Sequence, residues 1–142
     1  MDETKQMTAW NNMVMNADPT AYQKGDERRA ASIACLYMGG ANNGGLNAFL
    51  TNYYDLDAEE VLQSLDILGA NSAADQLRSV LEALGTPLPA ATQEERWDQL
   101  EQLWTDEFNA CDFLNEDADK SLVIALEAHV SKHIQYYESM AS

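Results

Sequence analysis

The sequence predicts an all-α fold: a compact single domain over residues 1–142, built from six or seven helices with a helical hairpin at its centre. Three observations predict it. Apolar residues recur at steps of three and four along most of the chain, the spacing of one helix face. No segment alternates at the period of two that a half-buried strand needs. Leucine and alanine dominate the apolar set, valine and isoleucine are sparse, and only Pro19, Pro87 and Pro89 break the chain. A hydrophobic content of 46% is enough for a real core.

The elements follow in order. Thr4 to Asn16 carries Met7, Trp10, Met13 and Val14 on one side, and Asp18-Pro19 ends it. Asp26 to Met38 forms a second helix with Ile33, Leu36 and Tyr37 apolar. Gly39-Gly40-Ala41-Asn42-Asn43-Gly44-Gly45 reads as a turn, because glycine and asparagine accept left-handed backbone angles. It lacks the Gly-Lys-Ser/Thr ending of a phosphate-binding loop, and no strand precedes it. Leu46, Phe49, Leu50 and Tyr53 then resume helical spacing.

Two matched helices come next. Asp57-Ala58-Glu59-Glu60 opens one, striped by Val61, Leu62, Leu65 and Leu68 and closed by Gly69. Ser72 to Asp75 opens the other, striped by Leu77, Val80, Leu81 and Leu84 and closed by Gly85. A shift of sixteen residues superposes the two, which reads as a hairpin with glycine C-caps. Thr86 to Ala91 is a proline-bearing loop, and Thr92-Gln93-Glu94-Glu95 is a capping box. Trp97, Leu100, Trp104, Phe108 and Cys111 make an aromatic stripe expected to pack in the core. A last helix begins near Asp117 and runs through Leu122, Leu126, Val130, Ile134 and Tyr137. Cys35 and Cys111 sit among apolar helical neighbours and are expected to be buried free thiols.

Charge narrows the function. Twenty-four acids face eight bases, a formal charge of −16. A small domain needs a magnitude of only about 2–8 for solubility. Such a field repels nucleic acid and anionic membranes, and it speeds encounter with basic partners. No direct nucleic-acid binding and no membrane contact are expected. The N-terminal Met1-Asp2-Glu3-Thr4-Lys5 has neither a basic nor an apolar leader pattern, and no apolar run approaches the ~20 residues of a membrane span. A cytoplasmic location is expected.

Chemical motifs fail at named residues. His129 and His133, the two histidines, share a helix face, but Val130 stands where a zinc protease needs glutamate. No neighbouring cysteine or acid in the local sequence completes a metal site, so no metal is expected. Asn115-Glu116-Asp117-Ala118-Asp119 resembles the start of a calcium loop, yet Lys120 and Leu126 occupy the places of its glycine and its final glutamate. No catalytic residue and no cofactor are expected.

The distribution of acid remains. From Glu94 to Asp119 there are ten acids against Arg96 alone, a net −9. Glu94, Asp98 and Glu101 step by four and three and share a face, where like charges cost a few tenths of a kcal/mol per pair. Duplex DNA carries one charge per roughly 1.7 Å of its axis, whereas carboxylates on one helix face repeat about every 5–6 Å. Imitating DNA therefore requires neighbouring acidic helices or a symmetric dimer.

Asn43-Gly44-Gly45-Leu46-Asn47-Ala48-Phe49-Leu50-Thr51-Asn52 resembles a signature of Asn-Gly-Gly, an apolar residue, two variable ones, Phe, a Phe-like residue, a variable one and Asn. Leu65 to Ala70 with the helix to Leu84, and Phe108 to Asp119 and on to Leu126, resemble the stretches that follow it. Together, over about Leu36 to Val130, the chain resembles the bacterial DNA-mimic protein family, first grouped as a domain of unknown function. The resemblance implies an all-helical fold, a homodimer, and binding to the DNA-contacting surface of a transcription factor.

The reading that follows is a non-enzymatic, DNA-mimic-like protein that binds a basic DNA-binding protein and competes with DNA. The residues expected to meet that partner are Glu94, Asp98, Glu101, Asp106, Glu107, Asp112, Glu116 and Asp117. The same charge also suits an immunity or antitoxin protein that neutralises a basic toxin such as a nuclease. A helical structural module, acidic only for solubility, is a third reading.

Overall fold

A buried arginine decides where the acidic helix sits, and the helices around it are built from ordinary signals. The computed structural model describes residues 3–140. Its helices are α1 (Glu3–Met15), α2 (Glu27–Asn52), α3 (Ala58–Leu68), α4 (Asn71–Leu84), α5 (Gln93–Leu103), α6 (Glu116–Lys132) and α7 (Ile134–Glu138). Two 3₁₀ turns, Pro19–Ala21 and Asp106–Cys111, complete the secondary structure, and no strand forms among the described residues. None of these helices is long and apolar enough to cross a membrane.

The starts of α2, α3, α5 and α6 carry side-chain caps, whereas α4 begins at Asn71 behind Ala70 with none, one residue before the expected Ser72. Asp26 Oδ1 accepts from Arg28 N at 2.8 Å, Asp57 Oδ1 from Glu59 N at 2.9 Å, and Asn115 Oδ1 from Ala118 N at 2.8 Å. Thr92 and Glu95 form the expected capping box. Gly69 takes φ 78° after α3. Its N–H donates to Asp66 O and that of Ala70 to Leu65 O, the paired bonds of a Schellman ending. The hairpin of α3 and α4 is therefore present, with Val61, Leu65, Leu77 and Val80 in its buried seam.

The core lies between α2 and the helices around it. α2 packs on α3, α5 and α6, α4 packs on α3 and α6, and α1 closes one side against α6 and α7. Asn12 on α1 donates from Nδ2 to Tyr137 O at 2.8 Å, so it caps the end of α7 from a neighbouring helix.

Three expectations change. The Gly39–Gly45 run is not a turn: α2 continues through it and leaves helical angles only at Gly45, φ 94° and ψ 173°. Close approach explains Gly40 and Gly45. A Cβ on Gly40 would meet Phe49 Cδ1 at 3.0 Å, and one on Gly45 would meet the Asp112 backbone oxygen at 2.7 Å. Phe49 can then pack edge-on to Tyr37 and beside Tyr53, with ring centroids at 4.9 and 5.0 Å.

The aromatic stripe is not one helix. α5 ends at Leu103, Trp104 caps it, and Phe108 and Cys111 lie in the 3₁₀ turn. Continuing α5 would bring Asp106 and Glu107 to its negative end with no base in the last turn to offset them. Trp97, expected in the core, is 53% exposed, and Cys111, expected to be buried, is half-buried. The last helix also breaks, at His133 (φ −118°, ψ 35°), and α7 turns Tyr137 into the core.

Arg96 explains the orientation of α5. It is fully buried and donates to four backbone carbonyls. Nη1 reaches Leu50 O at 2.8 Å; Nη2 reaches Leu56 O at 2.9 Å, Leu88 O at 3.2 Å and Pro89 O at 2.8 Å. These acceptors belong to the last turns of α2, the link to α3 and the proline loop. Burial lowers the arginine's pKa, while Asp57 and Asp55 raise it. The planar guanidinium, unlike an ammonium, can serve carbonyls on three segments at once.

Arg96→Lys is expected to cost on the order of 3 kcal/mol, read as a lower urea midpoint with an unchanged slope. Gly45→Ala combines a positive φ with a clash against Asp112, so we expect a loss of roughly 2–4 kcal/mol in the same assay.

Candidate partner-binding surface

With Arg96 and Leu100 turned inward and Leu103 packed against the core, the acids of α5 face solvent. Glu94, Asp98 and Glu101 are exposed. From Glu94 to Glu101 α5 rises about 10 Å. Asp106 and Glu107 follow, exposed, on the 3₁₀ turn. Glu116 and Asp117 are exposed on the first turn of α6, where the helix dipole favours acids.

Asp112 is held differently. It is half-buried, and its Oδ1 accepts from Asn47 N at 2.7 Å, immediately beyond the Gly45 break. Its carboxylate closes the freed backbone of α2. Of the eight acids expected to meet a partner, it is the one engaged inside the fold.

The placement of the bases sharpens the field. Arg29 forms a bidentate pair with Glu60, Nε to Oε2 at 2.6 Å and Nη2 to Oε1 at 2.9 Å. Arg78 pairs with Asp66 and Asp75, Arg28 with Asp26, and Lys132 with Glu27. Lys120 pairs with Glu116 at 3.1 Å. Among the described residues, Glu94, Asp98, Glu101, Asp106 and Glu107 take part in no ion pair. Arg96, the base counted against them in the sequence, points into the core.

Two exposed aromatics accompany these carboxylates. Trp97 lies beside Asp98 on α5 and lines a shallow hollow of about 240 Å³ with Asn47, Thr51, Leu100, Glu101 and Trp104. Phe113 is 51% exposed and borders an open cleft of about 500 Å³ against α4. Gln76 on α4 spans that cleft, donating to Phe113 O at 2.6 Å and accepting from Asn115 N at 3.2 Å. These two bonds set where α6 begins, and so where Glu116 and Asp117 stand.

A family model described as DMP19-like protein matches residues 25–133, all of α2 to α6. The chain belongs to the DMP19-like protein family. The family takes its label from DNA mimic protein 19, and the match is wider than the stretch from Leu36 to Val130 that carries the resemblance in the sequence. Neither a curated protein nor a solved structure matches the chain.

A second cluster in this DMP19-like protein was missed in the sequence. Glu27, at the start of α2, comes to the two histidines from more than a hundred residues away. Its Oε2 lies 3.0 Å from His133 Nε2, 3.6 Å from His129 Nδ1 and 3.1 Å from Lys132 Nζ. Against the burial that raises it, hydrogen bonds from His133 and Lys132 hold the Glu27 pKa at about 2. Burial lowers that of His129, offset in part by Glu27. The local sequence offers the histidine pair no acid, and the fold brings Glu27 to it from another helix. Helical spacing reveals neighbours along one helix, and Glu27 is a neighbour only across two. Elsewhere, burial pushes the Cys35 thiol up to about 12, so it is protonated at neutral pH.

The outward setting of Trp97 makes an unequal pair of truncations. Trp97→Ala is expected to lower the unfolding free energy by less than about 1 kcal/mol, and Leu100→Ala by roughly 2–5 kcal/mol. Urea denaturation of both variants measures the contrast.

Proposed function

We propose that this DMP19-like protein is a DNA-mimic binding protein without catalytic activity. It binds the basic surface of a DNA-binding protein, such as a transcription factor, and so competes with DNA. The observation that carries the reading is the row of exposed carboxylates on α5 and the following turn, free of ion pairs because the segment's arginine is buried. The family match supports it. Glu94, Asp98 and Glu101 with Asp106 and Glu107 form the main row; Glu116 and Asp117 form a second group across the Phe113 cleft. Asp112 serves the fold in this reading.

Charge alone gives fast encounter and broad attraction. A specific complex also needs desolvated apolar contacts, typically large aromatic ones near the centre of the interface. Trp97, exposed among the acids, is the residue we assign to that role. The homodimer implied by the family resemblance is part of the proposal, since two copies set two acidic rows side by side. Light scattering of the purified chain would report its mass.

The test is capture of a partner from lysate of the encoding organism at low salt, followed by displacement of labelled DNA from that partner. We expect a DNA-binding protein that is released as salt rises. Glu94→Gln, Asp98→Asn and Glu101→Gln together should abolish capture while leaving stability unchanged or higher by a few tenths of a kcal/mol per relieved pair. Capture that survives the triple substitution, or a partner that binds without displacing DNA, would overturn the reading.

A further inference from the structure

We propose that Glu27, His129 and His133 form a binding site for a divalent transition-metal ion of the zinc type. The three side chains each offer one ligand atom, and these atoms all lie within 4.8 Å of one another. Two nitrogens and one carboxylate oxygen are a donor set suited to zinc rather than to magnesium or calcium, which prefer oxygen alone.

The geometry is close to what coordination needs. Bonds of about 2.0–2.1 Å in a tetrahedron place ligand atoms roughly 3.4 Å apart. Glu27 Oε2 is already 3.0 Å from His133 Nε2 and 3.6 Å from His129 Nδ1. Only small rotations of His133 and Glu27 are required, and both are about 30% exposed at their side chains. That exposure also provides an entry path. Lys132 Nζ, 3.1 Å from the same Oε2, sits on a side chain 65% exposed and can swing into solvent as the ion arrives.

His129 makes the cluster more than an ion pair. It is buried, and its Nε2 is bonded to Tyr137 Oη at 2.7 Å. Its Nδ1 faces Glu27 with no hydrogen-bond partner. At 3.6 Å the carboxylate is too far to accept a proton from it. A buried nitrogen without a partner is destabilising. A metal on Nδ1 satisfies it, with Nε2–H donating to Tyr137 Oη. That is the arrangement in which a metal-bound histidine is usually oriented by its second nitrogen.

Three protein ligands leave a fourth position open to water or to a partner's side chain. The ion would join the start of α2 to the end of α6 and, through Tyr137, to α7. The site is independent of the carboxylates on α5, so its test does not depend on the partner.

The experiment titrates the full chain, stripped with a chelator and then dialysed, with zinc alone in a calorimeter. Magnesium is the control, and cobalt absorption is recorded in parallel. We expect one site per chain for zinc, a higher Tm on zinc addition, no matching magnesium site, and visible cobalt bands of nitrogen coordination. His133→Ala and Glu27→Gln, on separate helices, should each weaken zinc binding by at least about tenfold. Zinc affinity unchanged in a folded His133→Ala or Glu27→Gln protein would assign binding to the surface carboxylates and overturn the proposal. Absence of a zinc-dependent Tm shift in the wild type would overturn it as well.

Discussion

The hydrogen bonds of Arg96 are the interaction on which the rest of this structure depends. One guanidinium gathers carbonyls from the end of α2, the link into α3 and the proline loop. A charge without access to water is tolerated only where donors and acceptors match closely. That demand sets the rotation of α5 about its own axis. With Arg96 and Leu100 inward, Glu94, Asp98 and Glu101 have no direction left but outward. Trp97 follows them, although an indole would by itself favour the core.

The same interaction shapes the electrostatics. Arg96 hydrogen-bonds backbone carbonyls and forms no ion pair with the carboxylates of its own helix, so the acidic row of α5 keeps its field. The other arginines are matched elsewhere: Arg29 with Glu60 at the α2–α3 contact, Arg78 with Asp66 and Asp75 on the hairpin. The molecule is therefore acidic by composition and more sharply acidic by arrangement. Like charges at helical spacing on α5 carry a small standing cost of a few tenths of a kcal/mol per pair.

Glycine and acid cooperate at a second point. Gly45 breaks α2, and Asp112 caps the freed Asn47 N–H through the space a Cβ would fill. The Asn-Gly-Gly segment of the family resemblance is thus a packing device between α2 and the turn before α6. It positions the acidic segment. The cluster of Glu27, His129 and His133 works at the opposite end of α2, where the start of that helix meets the end of α6.

The sequence by itself determined the all-helical class, the α3–α4 hairpin with its glycine endings, the capping box at Thr92 and the concentration of acid between Glu94 and Asp119. Each is a local matter of side-chain period, backbone angle or composition, and neighbours in the chain are enough to read it. Only the tertiary structure decided that the glycine run continues a helix, that Trp97 faces out, that Asp112 faces in, and that Glu27 meets His129 and His133. Those outcomes rest on contacts between residues as much as 106 positions apart, which a helical period along one helix cannot reveal. Arg96 is the plainest case. In the sequence it is one positive charge among ten negative ones; in the fold it is the group that turns the acids of α5 outward.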